Sequence, residues 1–237
     1  MKLDHIVHFI EKSPDNAVSF WREKGFHAAV GGRHLQWGTH NALLYLKDCY
    51  IEWLTVEKND TAVQADHPLI CLLMHDRQGL GTICLRTDDL NRVNARLKSR
   101  GFETSGILDA QRRTETGELI RWKMLFIKEA VSDELPSPFF IEWEESDAVR
   151  YEKLEKSGAI QASNKTMEIE KCVFDVRQPE KVKAKWLEIL DGNLQLANCR
   201  IEFRKTDRPQ ERLEEVHFVD GEDKAEFEKG QYWLPRL

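Results

Sequence analysis

Tyr50-Ile51-Glu52-Trp53 and Phe140-Ile141-Glu142-Trp143 are two copies of one phrase, aromatic-Ile-Glu-Trp, set 90 positions apart in a chain of 237 residues. A phrase repeated at that distance points to a duplicated structural unit. The sequence before each copy extends the duplication. Leu3 to Phe9 alternates as a strand, Ser13 and Pro14 supply a helix N-cap and a first-turn proline, Ala17, Val18 and Trp21 share one helical face, and Gly25 stops the helix. The same order returns with Thr82-Ile83-Cys84-Leu85 as a short strand, Asp89 as a cap, Leu90, Val93 and Leu97 on one helical face, and Gly101 as the stop. The two helix ends read Trp21-Arg22-Glu23-Lys24-Gly25-Phe26 and Leu97-Lys98-Ser99-Arg100-Gly101-Phe102.

Working outward, these signals predict an α+β fold with βαβββ modules over residues 1–65 and 80–148, joined by a short helical linker, 66–79, whose run Leu69 to Met74 packs over the first module. Pro136 and Pro138 mark a loop just before the last strand of module two. A charged connector, Arg150 to Lys156, leads into a C-terminal region, 149–237, read as a partial βαβββ unit. Its predicted elements are a strand over Glu168 to Val176, a helix opened by Pro179 with Val182, Trp186 and Ile189 inward, and strands over Cys199 to Arg204 and Leu213 to Val219. The tail from Gly221 to Leu237 is predicted to add little to the sheet.

Composition excludes several classes of function. A hydrophobic content of 41% suits a folded core, and 35 Lys plus Arg against 41 Asp plus Glu give a net charge of −6 with no long block of either sign. That argues against a nucleic-acid or membrane-surface partner. The N-terminus carries no apolar stretch of signal-peptide length, and no run approaches the roughly 20 apolar residues of a membrane span, so a cytoplasmic location is expected. Five cysteines, odd in number and never spaced C-x-x-C, read as reduced core residues rather than a disulfide framework or a zinc site.

Glu52 and Glu142 are carboxylates inside apolar, aromatic strands, where an unpaired buried charge costs several kcal/mol unless a cation or a raised pKa relieves it. A metal ion is one relief, and a structural ion pair with Arg33 or Arg121 is another. His5, flanked by Asp4 and Ile6 on the first strand, is placed to converge with both glutamates; His8, three residues on, falls on the opposite face. The run His34 to Asn41 reads as a loop entering a strand, with Gly31, Gly32 and Gly38 allowing close backbone approach. His34, Thr39 and Asn41 then sit at a pocket rim or, alternatively, close a self-bonded turn. Arg121-Trp122 offers a guanidinium fork beside an aromatic wall for an anionic substrate, or a partner for Glu142. His67, His75 and His217 lack partners at ligand spacing.

Leu3-Asp4-His5-Ile6-Val7, the capped helix closing on Gly-Phe, the run Gly32-Arg33-His34-Leu35-Gln36-Trp37-Gly38-Thr39-His40-Asn41, and Tyr50-Ile51-Glu52 together resemble the glyoxalase-like branch of the vicinal oxygen chelate superfamily over residues 1 to 145. The resemblance implies that the paired modules form a half-open mixed β-barrel around a divalent metal (Zn, Fe, Mn or Ni), held by His5, Glu52 and Glu142. It implies catalytic roles for Glu142 and His34, and substrate contacts from His34, Thr39, Asn41, Arg121 and Trp122. A fourth ligand belongs near Gly81-Thr82, where neither residue is a good donor. The activity implied is that of a metal-dependent lyase or isomerase, or a dioxygenase, acting on a small oxygenated molecule. The lost ligand keeps open a metal-free binding protein of the bleomycin-resistance kind. A third reading is a scaffold whose C-terminal unit serves oligomerisation, a homodimer being the expected form.

Overall fold

The computed structural model describes residues 1–113 and 119–236. Strand β1 (Lys2–Phe9), helix α1 (Pro14–Glu23) and strands β2 (Ala29–His34), β3 (Thr39–Tyr45) and β4 (Tyr50–Val56) form one βαβββ module. Strand β5 (Gly79–Arg86), helix α4 (Leu90–Ser99) and strands β6 (Thr104–Arg113), β7 (Leu119–Ile127) and β8 (Phe139–Trp143) form the other, and helices α2 (Asn59–Gln64) and α3 (Pro68–Asp76) bridge them. The Asp89 carboxylate accepts the Arg92 backbone N–H at 2.9 Å, so the residue read as the cap of α4 is the cap.

All eight strands join in one sheet of order β2-β3-β4-β1-β5-β8-β7-β6. The two opening strands, β1 and β5, run antiparallel at its centre, each beside the last strand of its own module in parallel. The sheet curls into a half-barrel that is apolar on both faces, which is why its central strands read as nearly continuous hydrophobic runs. On the convex side Ile6, Trp21, Trp53, Ile83 and Phe140 pack with α1 and α4. On the concave side Val7, Phe9, Leu54, Cys84, Met124, Phe126, Phe139 and Ile141 pack with Leu72 and Leu73 of α3, which lies across the hollow.

Helices α5 (Asp147–Lys156) and α6 (Ala162–Lys165) lead to a second sheet built from β9 (Ile169–Val176), β10 (Arg200–Lys205), β11 (Arg212–Phe218), β12 (Gly221–Phe227) and β13 (Gly230–Pro235), with α7 (Pro179–Ile189) between β9 and β10. Its order is β10-β9-β11-β13-β12. The tail predicted to add little supplies two of these five strands, and β13 lies inside the sheet. Its pattern is period two: Ala225, Phe227, Tyr232 and Leu234 are buried, while the intervening Lys224, Glu226, Gln231 and Trp233 are more exposed. The hairpin turns at Glu228 and Lys229, both at positive φ without glycine, so the usual turn signal is missing.

This second sheet repeats the centre of the first. β10-β9-β11-β13-β12 has the same order as β4-β1-β5-β8-β7, and the four pairings follow the same sequence of parallel, antiparallel, parallel, antiparallel. Among the described residues it has no counterparts of the flanking strands β2, β3 and β6 or of helix α4. The two sheets share one core. The Asn198 side chain accepts from Leu3 N at 2.8 Å and donates to Leu3 O at 3.0 Å, and Arg96 donates to Ile189 O at the end of α7. His8 points into the same seam, as its strand register predicts: Tyr232 Oη lies 2.6 Å from its Nδ1, and the Glu228 carbonyl accepts from Nε2 at 3.1 Å. All five cysteines are free thiols, four of them buried.

Candidate functional site

Period-two alternation brings His5 of β1, Tyr50, Glu52 and Leu54 of β4, and Phe139, Ile141 and Trp143 of β8 to the concave face. They line a cavity of about 90 Å³ together with His34, Thr39, Asn41, His67 and Arg150 among others. α3 covers it through Leu69 and Ile70.

At its centre His5 is 4% exposed and stacks on Tyr50 with ring centroids 4.5 Å apart. Its Nδ1 lies 2.8 Å from Asp4 Oδ1, and Asp4 Oδ2 accepts from Arg86 at 2.9 Å and from the Trp143 indole at 3.0 Å. Burial alone would raise the Asp4 pKa. The bond to His5 and the charges of His5, Arg150 and Arg86 outweigh it and hold this carboxyl well below the usual carboxylate range. An ionised carboxylate only accepts hydrogen bonds, so His5 Nδ1 carries the proton of this bond and Nε2 is the atom turned to the cavity. Glu52 Oε2 stands 3.7 Å from that Nε2, and Glu52 Oε1 accepts from Asn41 Nδ2 at 2.6 Å. Gly31 is required behind this pair, because a Cβ there would fall 2.0 Å from Asn41 Oδ1.

Two further side chains face the cavity with polar atoms that have no hydrogen-bond partner. Both ring nitrogens of His67 are buried and unbonded; burial pushes its pKa down to about 4, with the nearby His34 adding to the effect, so the ring is neutral at neutral pH. Arg150 is 7% exposed and its Nη1 has no hydrogen-bond acceptor; its guanidinium lies 3.8 Å over the Trp143 ring, and its Nη1 stands 3.8 Å from both Asp4 Oδ2 and Asp147 Oδ1. Neither was singled out from sequence. His67 sits before Pro68, a helix-start signature that explains the residue without any site, and Arg150 opens a charged run that reads as solvated surface.

Of the residues predicted for the site, His5, His34, Thr39, Asn41, Glu52 and Trp122 line the cavity. His34 Nδ1 lies 3.0 Å from Thr39 Oγ1. Glu142 and Arg121 do not join them. Glu142 points to the convex side, where its carboxylate accepts the Leu90 N–H at 2.7 Å and so serves the start of α4. The reason is register: in β4 the residues facing inward are Tyr50, Glu52 and Leu54, whereas in β8 they are Phe139, Ile141 and Trp143, so the second glutamate is one position out of phase. Arg121 is half-exposed and pairs with Glu144 at 3.4 Å, not with Glu142.

These placements bear on the implied metal. Glu142, the ligand expected from module two, is engaged with Leu90 N, and the β5 and β8 residues facing the hollow, Cys84, Phe139 and Ile141, belong to the apolar cluster. Among the described residues, the one group of three metal-capable side chains is Asp4, His5 and Cys84, with donor atoms within 4.8 Å of one another. It fits an ion poorly: both Asp4 oxygens and His5 Nδ1 are already bonded, and burial pushes the Cys84 thiol far above its usual pKa, against the thiolate a metal needs. His5 Nε2 and Glu52 Oε2 alone make two ligands, fewer than the three protein ligands usual at catalytic sites of this kind.

Residues 3–190 match the glyoxalase-like domain family, and the chain belongs to it. The fold is that of the vicinal oxygen chelate superfamily. A crystal structure of a hypothetical protein from Staphylococcus aureus superposes with a TM-score of 0.82 at 26% identity, over 98% of this chain and 97% of that one. Methylmalonyl-CoA epimerase of Streptomyces coelicolor, in complex with 2-nitronate-propionyl-CoA, gives 0.41 at 18% identity over 61% of this chain and 99% of its own. The Mycobacterium tuberculosis epimerase gives 0.41 at 18% over 63% and 91%. No curated protein matches the sequence. No helix among the described residues is long and apolar enough to cross a membrane.

Proposed function

We propose that this protein is an isomerase- or lyase-type enzyme that moves a proton at carbon beside a carbonyl group of a small oxygenated molecule, using His5 and Glu52 as the acid–base pair and no metal. One observation carries the reading: His5 Nε2 and Glu52 Oε2 face each other at 3.7 Å inside the cavity while their other polar atoms are committed, to Asp4 and to Asn41. Two proton acceptors so placed serve a proton that leaves a substrate carbon and is returned to it or to its neighbour. Asp4 fixes the His5 tautomer and stabilises the imidazolium formed when Nε2 takes the proton. The α3 cover keeps water from the carbanionic intermediate.

The test is exchange of carbon-bound hydrogen for deuterium in D₂O, followed by proton NMR over short carbonyl and hydroxycarbonyl compounds, charged and neutral, with a chelator present. Exchange catalysed by the parent and lost in His5→Ala is the expected result. Exchange that disappears on chelation and returns with Zn²⁺ or Mn²⁺ would restore the metal reading. Binding without exchange in every case would make the chain a small-molecule-binding protein.

A further inference from the structure

Two buried polar groups in the cavity remain outside that chemistry, and they lie at opposite ends of it. β4 forms the floor, with Tyr50, Glu52 and Leu54 following one another at steps of roughly 6–7 Å. At the Tyr50 end, where His5 stacks, Arg150 lies against Trp143 and Asp4. At the Leu54 end, His67 packs on Trp37, with ring centroids 4.5 Å apart, and on Phe126 at 5.1 Å. The His5–Glu52 pair stands between them. The Arg150 Nη1 has no hydrogen-bond acceptor, the Asp4 and Asp147 carboxylates standing off at 3.8 Å, and its guanidinium lies over an indole ring, so it can donate a charge-assisted hydrogen bond to a ligand carboxylate oxygen. A neutral imidazole with both nitrogens unbonded offers one donor and one acceptor, which suits a hydroxyl or carbonyl oxygen and not a second charge.

We infer that the cavity selects a short-chain carboxylate carrying a neutral hydroxyl or carbonyl oxygen further along its chain, with Arg150 binding the carboxylate and His67 the neutral oxygen. This rests on the proposed proton-transfer reading for what happens to the substrate, but the recognition itself is separable from turnover. Helix α5, which follows the second module, thereby supplies a specificity residue to the barrel. The cavity's volume of about 90 Å³ accommodates a ligand of a few carbons.

The experiment is equilibrium binding, by calorimetry and thermal shift, of pyruvate, lactate, acetoacetate and 3-hydroxybutyrate beside the uncharged amide of each, with the parent, Arg150→Met, Arg150→Lys and His67→Phe. The parent should prefer at least one acid over its amide by about tenfold or more. Arg150→Met should abolish that preference, Arg150→Lys should retain part of it, and His67→Phe should weaken acid and amide alike. Equal binding of acid and amide by the parent, or no acid bound at about 10 mM, overturns the inference, and neither outcome depends on a variant folding. Preference for the acid without hydrogen exchange would leave the recognition standing and remove the proton-transfer reading.

Discussion

The two sheets share a strand order but handle charge on their concave faces in opposite ways. In the five-stranded sheet the face turned away from α7 carries Lys171, Asp175, Glu202, Arg204, Glu215 and His217, and these are matched to one another: Arg204 reaches Asp175 and Glu215 at 2.7 Å each, Lys171 reaches Glu202 at 3.1 Å, and His217 reaches Glu215 at 2.8 Å. Solvent reaches this face. In the eight-stranded sheet the flanking strands β2, β3 and β6 and the cover α3 line the hollow, so His67 and Arg150 become buried groups with atoms that lack a hydrogen bond. The difference teaches that the site comes from closure rather than from the shared strand order. Ion pairs in water cancel, whereas unpaired groups in a closed cavity are available to a ligand.

Breaking the pair at the centre should have the largest effect. His5→Ala is expected to lower the hydrogen-exchange rate by about 10²–10⁴-fold, the usual size of a general acid–base contribution, whereas His217→Ala on the open sheet should leave it unchanged. Next in size is Asp4→Ala, which strips Arg86 and Trp143 of a buried partner and should cost about 3–5 kcal/mol in urea unfolding.

Acid sharpens the contrast further. Burial pushes the pKa of both His8 and His67 down to about 4, against 6.5 for the free side chain. The unfolded chain therefore binds the extra protons first. Their stabilisation is complete above pH 6.5 and is lost as pH falls towards 4, up to about 3 kcal/mol for each ring. The Asp4 contribution, a depressed carboxyl, disappears only below the ordinary carboxylate range. Denaturation between pH 7 and 4.5 should show the slope, and His8→Gln should flatten part of it.

Smaller effects follow at the margins. Gly31→Ala should displace Asn41 from Glu52, costing about 1–3 kcal/mol as an overpacked site and weakening ligand binding. Glu202→Gln, on the open face and half-exposed, should change stability by less than about 1 kcal/mol and binding not at all.

Much of the barrel is legible in the sequence, because capped helices, Gly-Phe stops and apolar strands all repeat. The phrase that reveals the duplication also misleads about the site. Tyr50-Ile51-Glu52-Trp53 and Phe140-Ile141-Glu142-Trp143 match as strings, but the strands they occupy are set one residue apart in phase, and one residue moves a side chain to the other face. Glu52 enters the cavity and Glu142 serves a helix end. His5, Asn41 and Glu52 are readable because they sit on strands whose period is fixed. Arg150 and His67 are not, because α5 and α3 acquire their meaning only when they fold over a hollow made by distant strands. The last hairpin is harder to read because few of its residues are apolar and its turn, at Glu228 and Lys229, has no glycine at the positive-φ positions.

The most direct measurement of the central claim is a histidine-ring NMR titration of the parent with lactate, read at His5 and His67 in the closed barrel and at His217 on the open sheet. Saturable shifts at His5 and His67, with His217 unmoved, are predicted. Shifts at His217, or none at either barrel histidine, would contradict the account.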